Sequence, residues 1–245
     1  MNTSVSWPAV TATWAQLTEE EQHAVVENPG GFKEFARDLA LEIAKNTFFF
    51  PLSDNEVPPR LQDGRQIGHR SMAAELGYTG PVAWHVKEGF TLKLHAPKVG
   101  PCRENFQYLQ DWNFPDPPSQ NSLVWWIPRW IPEINEKNVK DQLDILASFR
   151  QRFSLPAHHL SGFGPASTLA GLILRHFKRT GERVPLGGNW VRTDTLDVDG
   201  LRLYLGGFGG FLRCGNWDWH DEYRYGNLGA FPLGVDLLET GELGF

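Results

Sequence analysis

Thr193-Asp-Thr-Leu-Asp-Val-Asp-Gly-Leu-Arg-Leu-Tyr-Leu205 decides the fold class. Apolar and polar residues alternate on both sides of Asp199-Gly200, a dipeptide that favours short hairpin turns because glycine reaches positive φ without strain. A two-residue turn there pairs Val198 with Leu201 and Leu196 with Leu203 on one face. The other face receives Asp197 against Arg202 and Thr195 against Tyr204, which are sensible cross-strand partners. An antiparallel hairpin over 191–205 is the expectation.

A second alternating stretch, Pro81 to Ala96, runs through Gly89. Val82, Trp84 and Val86 share one face, as do Phe90, Leu92 and Leu94. Only a three-residue loop, Lys87-Glu88-Gly89, keeps the two apolar faces together, with Val86 opposite Phe90 and Trp84 opposite Leu92. This predicts another hairpin over 82–94. Ser122 to Ile127 reads as a buried strand ended by Pro128.

Helical spacing appears elsewhere. Val139, Leu143, Leu146, Phe149 and Phe153 recur at steps of three and four. Pro165 suits the first position of a further helix and Gly181 the residue past its end, with Leu169, Leu172, Ile173 and Phe177 facing a core. Near the N-terminus, Thr18 and Glu21 form a capping box, and Phe32 to Ile43 follow helical spacing. The polar span from Pro51 to Gly68, with three prolines, reads as a connecting loop. Helices and hairpins in separate runs argue for an α+β fold, antiparallel sheet with amphipathic helices packed against it. The chain of 245 residues fits a single domain over 1–245 with a small N-terminal helical subdomain over 1–50.

Composition narrows the function classes. A net charge of −6 gives no electrostatic footprint for nucleic acid. No apolar run is long enough to cross a membrane, and the N-terminus has no secretory signal pattern. Two cysteines, Cys102 and Cys214, are too few for a disulfide scaffold, so free thiols and a cytoplasmic location are expected. Ten tryptophans are unusual, and each indole N–H needs a partner or water.

The densest chemistry lies in Cys214-Gly-Asn-Trp-Asp-Trp-His-Asp-Glu-Tyr-Arg-Tyr-Gly-Asn227. On an extended chain Asp218, His220 and Glu222 share a face, while Trp217, Trp219 and Tyr223 share the other. His220 with Glu222 resembles half of a facial iron triad, but no second histidine follows. Asp218 and Glu222 are conceivable as the carboxylate pair of a glycoside hydrolase, with aromatic rings for sugars. These three residues are the catalytic candidates, joined by His158 or His159.

Other constellations weigh less. His158 and His159 are neighbours, and on an extended chain they point to opposite sides. His85 and His95 lie too far apart on the expected hairpin for one ion. The glycine-rich entry to the helix at Gly162 to Thr168 could hold an anion at its free N–H groups, but lacks the lysine of a phosphate loop. A helix cap explains it better. No serine elbow appears, no cofactor motif is present, and no metal site is assigned.

Nine acids against three arginines over 194–245 leave the C-terminal region acidic. With its exposed rings, the segment suits recognition of a basic protein or a polar small molecule through Trp217, Trp219, Asp221 and Tyr223. A binding or interaction protein is therefore the first expectation of function. A hydrolase or metalloenzyme using the carboxylate–histidine cluster is the alternative.

Overall fold

The computed structural model describes residues 22, 23, 26, 30, 47–112, 114–216 and 220–239. The expected helices at Thr18 to Glu21 and Phe32 to Ile43 lie outside the described residues. The chain divides into two compact units, Met1–Thr47 and Phe48–Phe245. The second unit carries both sheets.

In chain order its elements are β1 (Phe49–Leu52), α1 (Gly64–Glu75), β2 (Ala83–Val86), α2 (Ala96–Val99), β3 (Ser122–Trp126), α3 (Val139–Arg152), α4 (Ala166–Thr180), β4 (Trp190–Leu196), β5 (Arg202–Gly206), β6 (Arg213–Gly215), β7 (Leu228–Gly229) and β8 (Leu233–Leu237). A 3₁₀ segment, Arg103–Gln110, precedes β3. The first sheet has the order β1-β2-β3-β8, antiparallel throughout. The second has the order β6-β5-β4-β7, with β7 parallel to β4. This is an α+β fold.

Helix α4 sits between the two sheets. Its Leu169, Leu172, Ile173 and Leu174 are fully buried, in one cluster with Trp84, Val124 and Trp126 of the first sheet and Val191, Leu203 and Leu205 of the second. Each such aliphatic side chain contributes roughly 1.5–3 kcal/mol on burial. Because both sides of its first turns are covered, Ala166 to Leu174 are all buried, while Lys178 to Thr180 at its end are exposed. Gly181 ends it in the left-handed conformation at φ 73°, as expected, while Pro165 proves to be the N-cap residue instead of the first helical one.

The opposite face of the first sheet is also covered. Leu123 and Trp125 of β3 pack there with Met72 and Ala73 of α1 and with Val139 and Leu146 of α3. Strand β3 is therefore buried on both faces, which is why its sequence does not alternate. Helix α3 starts at the Asn138 cap, whose side chain accepts from the Asp141 amide.

The 191–205 hairpin is present, but its loop has three residues. Asp197 N–H donates to the Leu201 carbonyl, and the Asp197 side chain accepts from the amides of Asp199 and Leu201. Gly200 takes φ 80°. Leu196 consequently pairs with Arg202 instead of Leu203, and an irregularity follows before Arg192 pairs with Tyr204. The one-residue change turns Leu196 and Val198 out to solvent. The aspartate side chain competes with the backbone turn and wins.

The 82–94 hairpin does not form. Strand β2 is there, and Phe90 and Leu92 are buried as expected, but residues 92–95 make turns leading into α2. Both edges of β2 are taken, by β1 and β3. The amides of Leu92 and Lys93 donate to the Asp116 carboxylate, and that of Phe90 to Ser119 Oγ. The amides of Phe90 to Lys93 are therefore committed to side chains and not to a ladder. The span read as a connecting loop from Pro51 to Gly68 also contains structure, the end of β1 and the start of α1.

Among the described residues, no helix is long and apolar enough to cross a membrane. Cys102 and Cys214 are free and buried.

Candidate functional site

Strand β8 carries Asp236 at the register position of Leu123, on the sheet face covered by α1 and α3. Its carboxylate is nearly inaccessible and gathers four donors. Trp125 Nε1 donates to Oδ2 at 2.8 Å, and Arg65 donates to Oδ1 at 2.9 Å. His158 Nε2 meets Oδ1 at 3.0 Å, and His159 Nε2 meets Oδ2 at 3.1 Å.

Local structure explains why two adjacent histidines reach one carboxylate. Residues 157–160 form a turn, in which the His159 amide donates to the Pro156 carbonyl and Leu160 takes φ 48°. On a turn, neighbours do not alternate as they do on a strand. The two rings lie edge to face with centroids 4.5 Å apart. His158 stays half exposed, while His159 is fully buried. Leu160 N–H donates to the Leu233 carbonyl, which ties this turn to the start of β8.

Helix α1 completes the cluster. Arg65 and His69 are four residues apart, so they share a helix face. His69 Nε2 lies 3.0 Å from His159 Nδ1, and its ring stacks on the Trp125 indole with centroids 5.0 Å apart. Arg65 also reaches Asp63, the N-cap of α1.

Protonation follows from the partners. An ionised Asp236 accepts only, so a neutral His159 carries its proton on Nε2 and accepts from His69 Nε2–H at Nδ1. That leaves His69 Nδ1 as a buried acceptor without a partner among the described residues. Burial pushes His69 well below the usual imidazole value, His159 adds to this, and the Asp236 charge opposes it. Burial alone would raise the Asp236 carboxyl. The hydrogen bonds from His159, His158 and Trp125 outweigh it and hold the group well below the usual carboxylate range.

Among the described residues, His158, His159 and Asp236 form the group whose ligand atoms could hold a metal ion, all within 4.8 Å of one another. Sequence reasoning missed Asp236, Arg65, His69 and Trp125. The available signal was a carboxylate inside the apolar run Leu233 to Leu238.

The aromatic segment is built differently. Trp217, Asp218 and Trp219 lie outside the described residues. His220 and Glu222 are exposed and do not meet the histidine–aspartate cluster, since His158 and His159 turn towards Asp236. Asp221 pairs with Arg202 through both carboxylate oxygens at 3.2 Å. Its carbonyl accepts from the Val139 amide, and the Tyr225 carbonyl from the Glu136 amide. Arg192, fully buried, donates to the Tyr223 carbonyl at 2.9 Å and to that of Lys137 at 3.3 Å. The backbone is thus pinned while the rings of His220, Tyr223 and Tyr225 cluster outside, with successive centroids 5.8 and 5.7 Å apart.

Two further places are accounted for. Three amides at the entry to α4 are taken, those of Phe163 and Gly164 by Asp194 Oδ2 and that of Ala166 by Thr195 Oγ1. Side chains therefore hold three of the donors that an anion would have used. A groove of about 380 Å³ lies beside this cap, lined by Pro115, Pro117, Pro118, Thr168, Asp194 and Val235 among others. It opens away from the histidine cluster, because Val235 and Asp236 point to opposite faces of β8.

No family model, curated protein or solved structure matches the chain.

Proposed function

We propose that this protein works by binding, with the 220–225 loop as a docking surface for a basic protein or peptide. The observation that carries this reading is the pairing of a held backbone with exposed side chains. Arg192, Val139 and Glu136 fix the loop from beneath, while Tyr223 and Tyr225 keep 43% and 37% of their surface. Rings held in place lose little conformational freedom on contact, so more of the contact energy appears as affinity. Glu222 beside them supplies negative charge, and the region 194–245 has nine acids against three arginines. Asp221 belongs to the support of the loop, through Arg202, and Tyr223 to its contact surface.

A nona-arginine peptide followed by fluorescence anisotropy tests the proposal. Binding should weaken as salt rises, since the charge contribution is screened. Tyr223→Ala and Glu222→Gln should each weaken it several-fold without changing the melting temperature. Equal affinity in both variants would remove the loop from the binding surface.

A further inference from the structure

We propose that His158 Nε2, His159 Nε2 and the Asp236 carboxylate bind one divalent transition-metal ion, zinc or a chemical neighbour. Two imidazoles and a carboxylate form a borderline donor set of the kind such ions take, whereas calcium and magnesium prefer all-oxygen sites. The spacing fits. Metal–ligand bonds of about 2.0–2.1 Å place tetrahedral donors roughly 3.3 Å apart. The two nitrogen–oxygen separations are 3.0 and 3.1 Å, and the whole set lies within 4.8 Å.

The surroundings are those of a supported site. His159 is aimed by His69 at its other ring nitrogen, and Asp236 is held by Trp125. Such outer contacts orient metal ligands. Half-exposed His158 provides the approach from solvent and leaves room for a water ligand on that side. Arg65 stands against the ion because it shares Asp236 Oδ1, but its second carboxylate partner, Asp63, can keep it when the oxygen turns to metal.

Proton balance is simple. The ion displaces the proton from Nε2 of each neutral histidine, and each ring carries its proton on Nδ1 instead. For His159 that proton comes from His69 Nε2, and His69 takes one at Nδ1, which has no partner among the described residues. No net proton is released from neutral rings.

The test uses the full chain, stripped with chelator and titrated with cobalt(II), then zinc(II). One cobalt per chain with a visible absorption band, displaced by zinc, is expected. Zinc should also raise the melting temperature by mass action. His158→Ala should weaken binding at least about 10-fold and abolish the zinc-dependent rise. Its circular dichroism should match that of the unsubstituted chain, because the ring is half exposed. His220→Ala should bind as the unsubstituted chain does. Absence of stoichiometric cobalt uptake, uptake unchanged in His158→Ala, or loss in His220→Ala overturns the assignment.

Discussion

Gly234 lies against the imidazole of His159. A β carbon at this position would come within 2.7 Å of the ring's Cγ and 2.8 Å of Nδ1. The ring is fully buried and held at both nitrogens, so it cannot yield without breaking a hydrogen bond. Gly234→Ala is expected to cost about 1–3 kcal/mol, the usual range for overpacking a filled interior. Urea denaturation measures it, and an unchanged midpoint would show that the ring has slack.

Asp236 balances Arg65 and three other donors in a nearly dry place, so its charge holds the cluster together. Asp236→Asn turns an amide N–H₂ towards groups that themselves donate. Removing one partner of a buried ion pair costs on the order of 3–5 kcal/mol, and Arg65's partial exposure places the expectation near the lower end. Thermal and urea unfolding of the variant check this. A loss below about 1 kcal/mol would mean that water replaces the carboxylate.

The fold was legible in the sequence where the deciding contacts are local. The 191–205 hairpin and helices α3 and α4 follow from turn chemistry and helical spacing within a few residues. The strand at Phe90 to Leu94 failed because its amide partners, Asp116 and Ser119, lie some two dozen residues along the chain. Strand β1 and helix α1 were hidden by Pro51, which an edge strand tolerates, and by the weak apolar pattern of Gly64 to Glu75. The histidine–aspartate cluster was illegible for the same reason of distance. Arg65 and Asp236 are 171 positions apart, and the turn that brings His158 beside His159 shows locally only as Pro156 before the pair.

Stability should fall on mild acidification. His176 of α4 is buried, with its ring edge towards Trp126. Burial lowers its pKa, Arg179 and Arg129 add to this, and Glu182 opposes it. The folded state keeps the ring neutral, while the unfolded chain takes up a proton below about 6.5. Stability is thus full above that pH and declines below it, by about 1.4 kcal/mol per pH unit for each such group. His85, lowered chiefly by burial, behaves alike. Unfolding free energies between pH 7.5 and 5 should show this slope, and His176→Gln should flatten it by one group. A profile unchanged by the substitution would place the protonation elsewhere.

The two thiols should be inert in the native protein. Burial pushes the Cys102 thiol up to about 12 and also raises that of Cys214. The thiolate is the reactive form, so neither should react with a disulfide reagent at pH 8 before unfolding. Both should react fully in denaturant without reductant. A fast native phase would mean local opening around β6, which carries Cys214.

Arg192 separates support from contact in the 220–225 loop. Its guanidinium is buried and donates to the Tyr223 and Lys137 carbonyls, so it touches no partner itself. Arg192→Met keeps length and apolar packing but leaves both carbonyls without that donor. A cost of about 1–3 kcal/mol follows from losing a buried hydrogen-bond donor. The loop should become a substrate for limited proteolysis between His220 and Tyr225, and affinity for the arginine peptide should fall because the rings are no longer held. Tyr223→Ala should lower affinity while the loop stays resistant to protease. If Arg192→Met leaves both cleavage and affinity unchanged, the fixed backbone contributes nothing to recognition, and exposed rings with charge suffice.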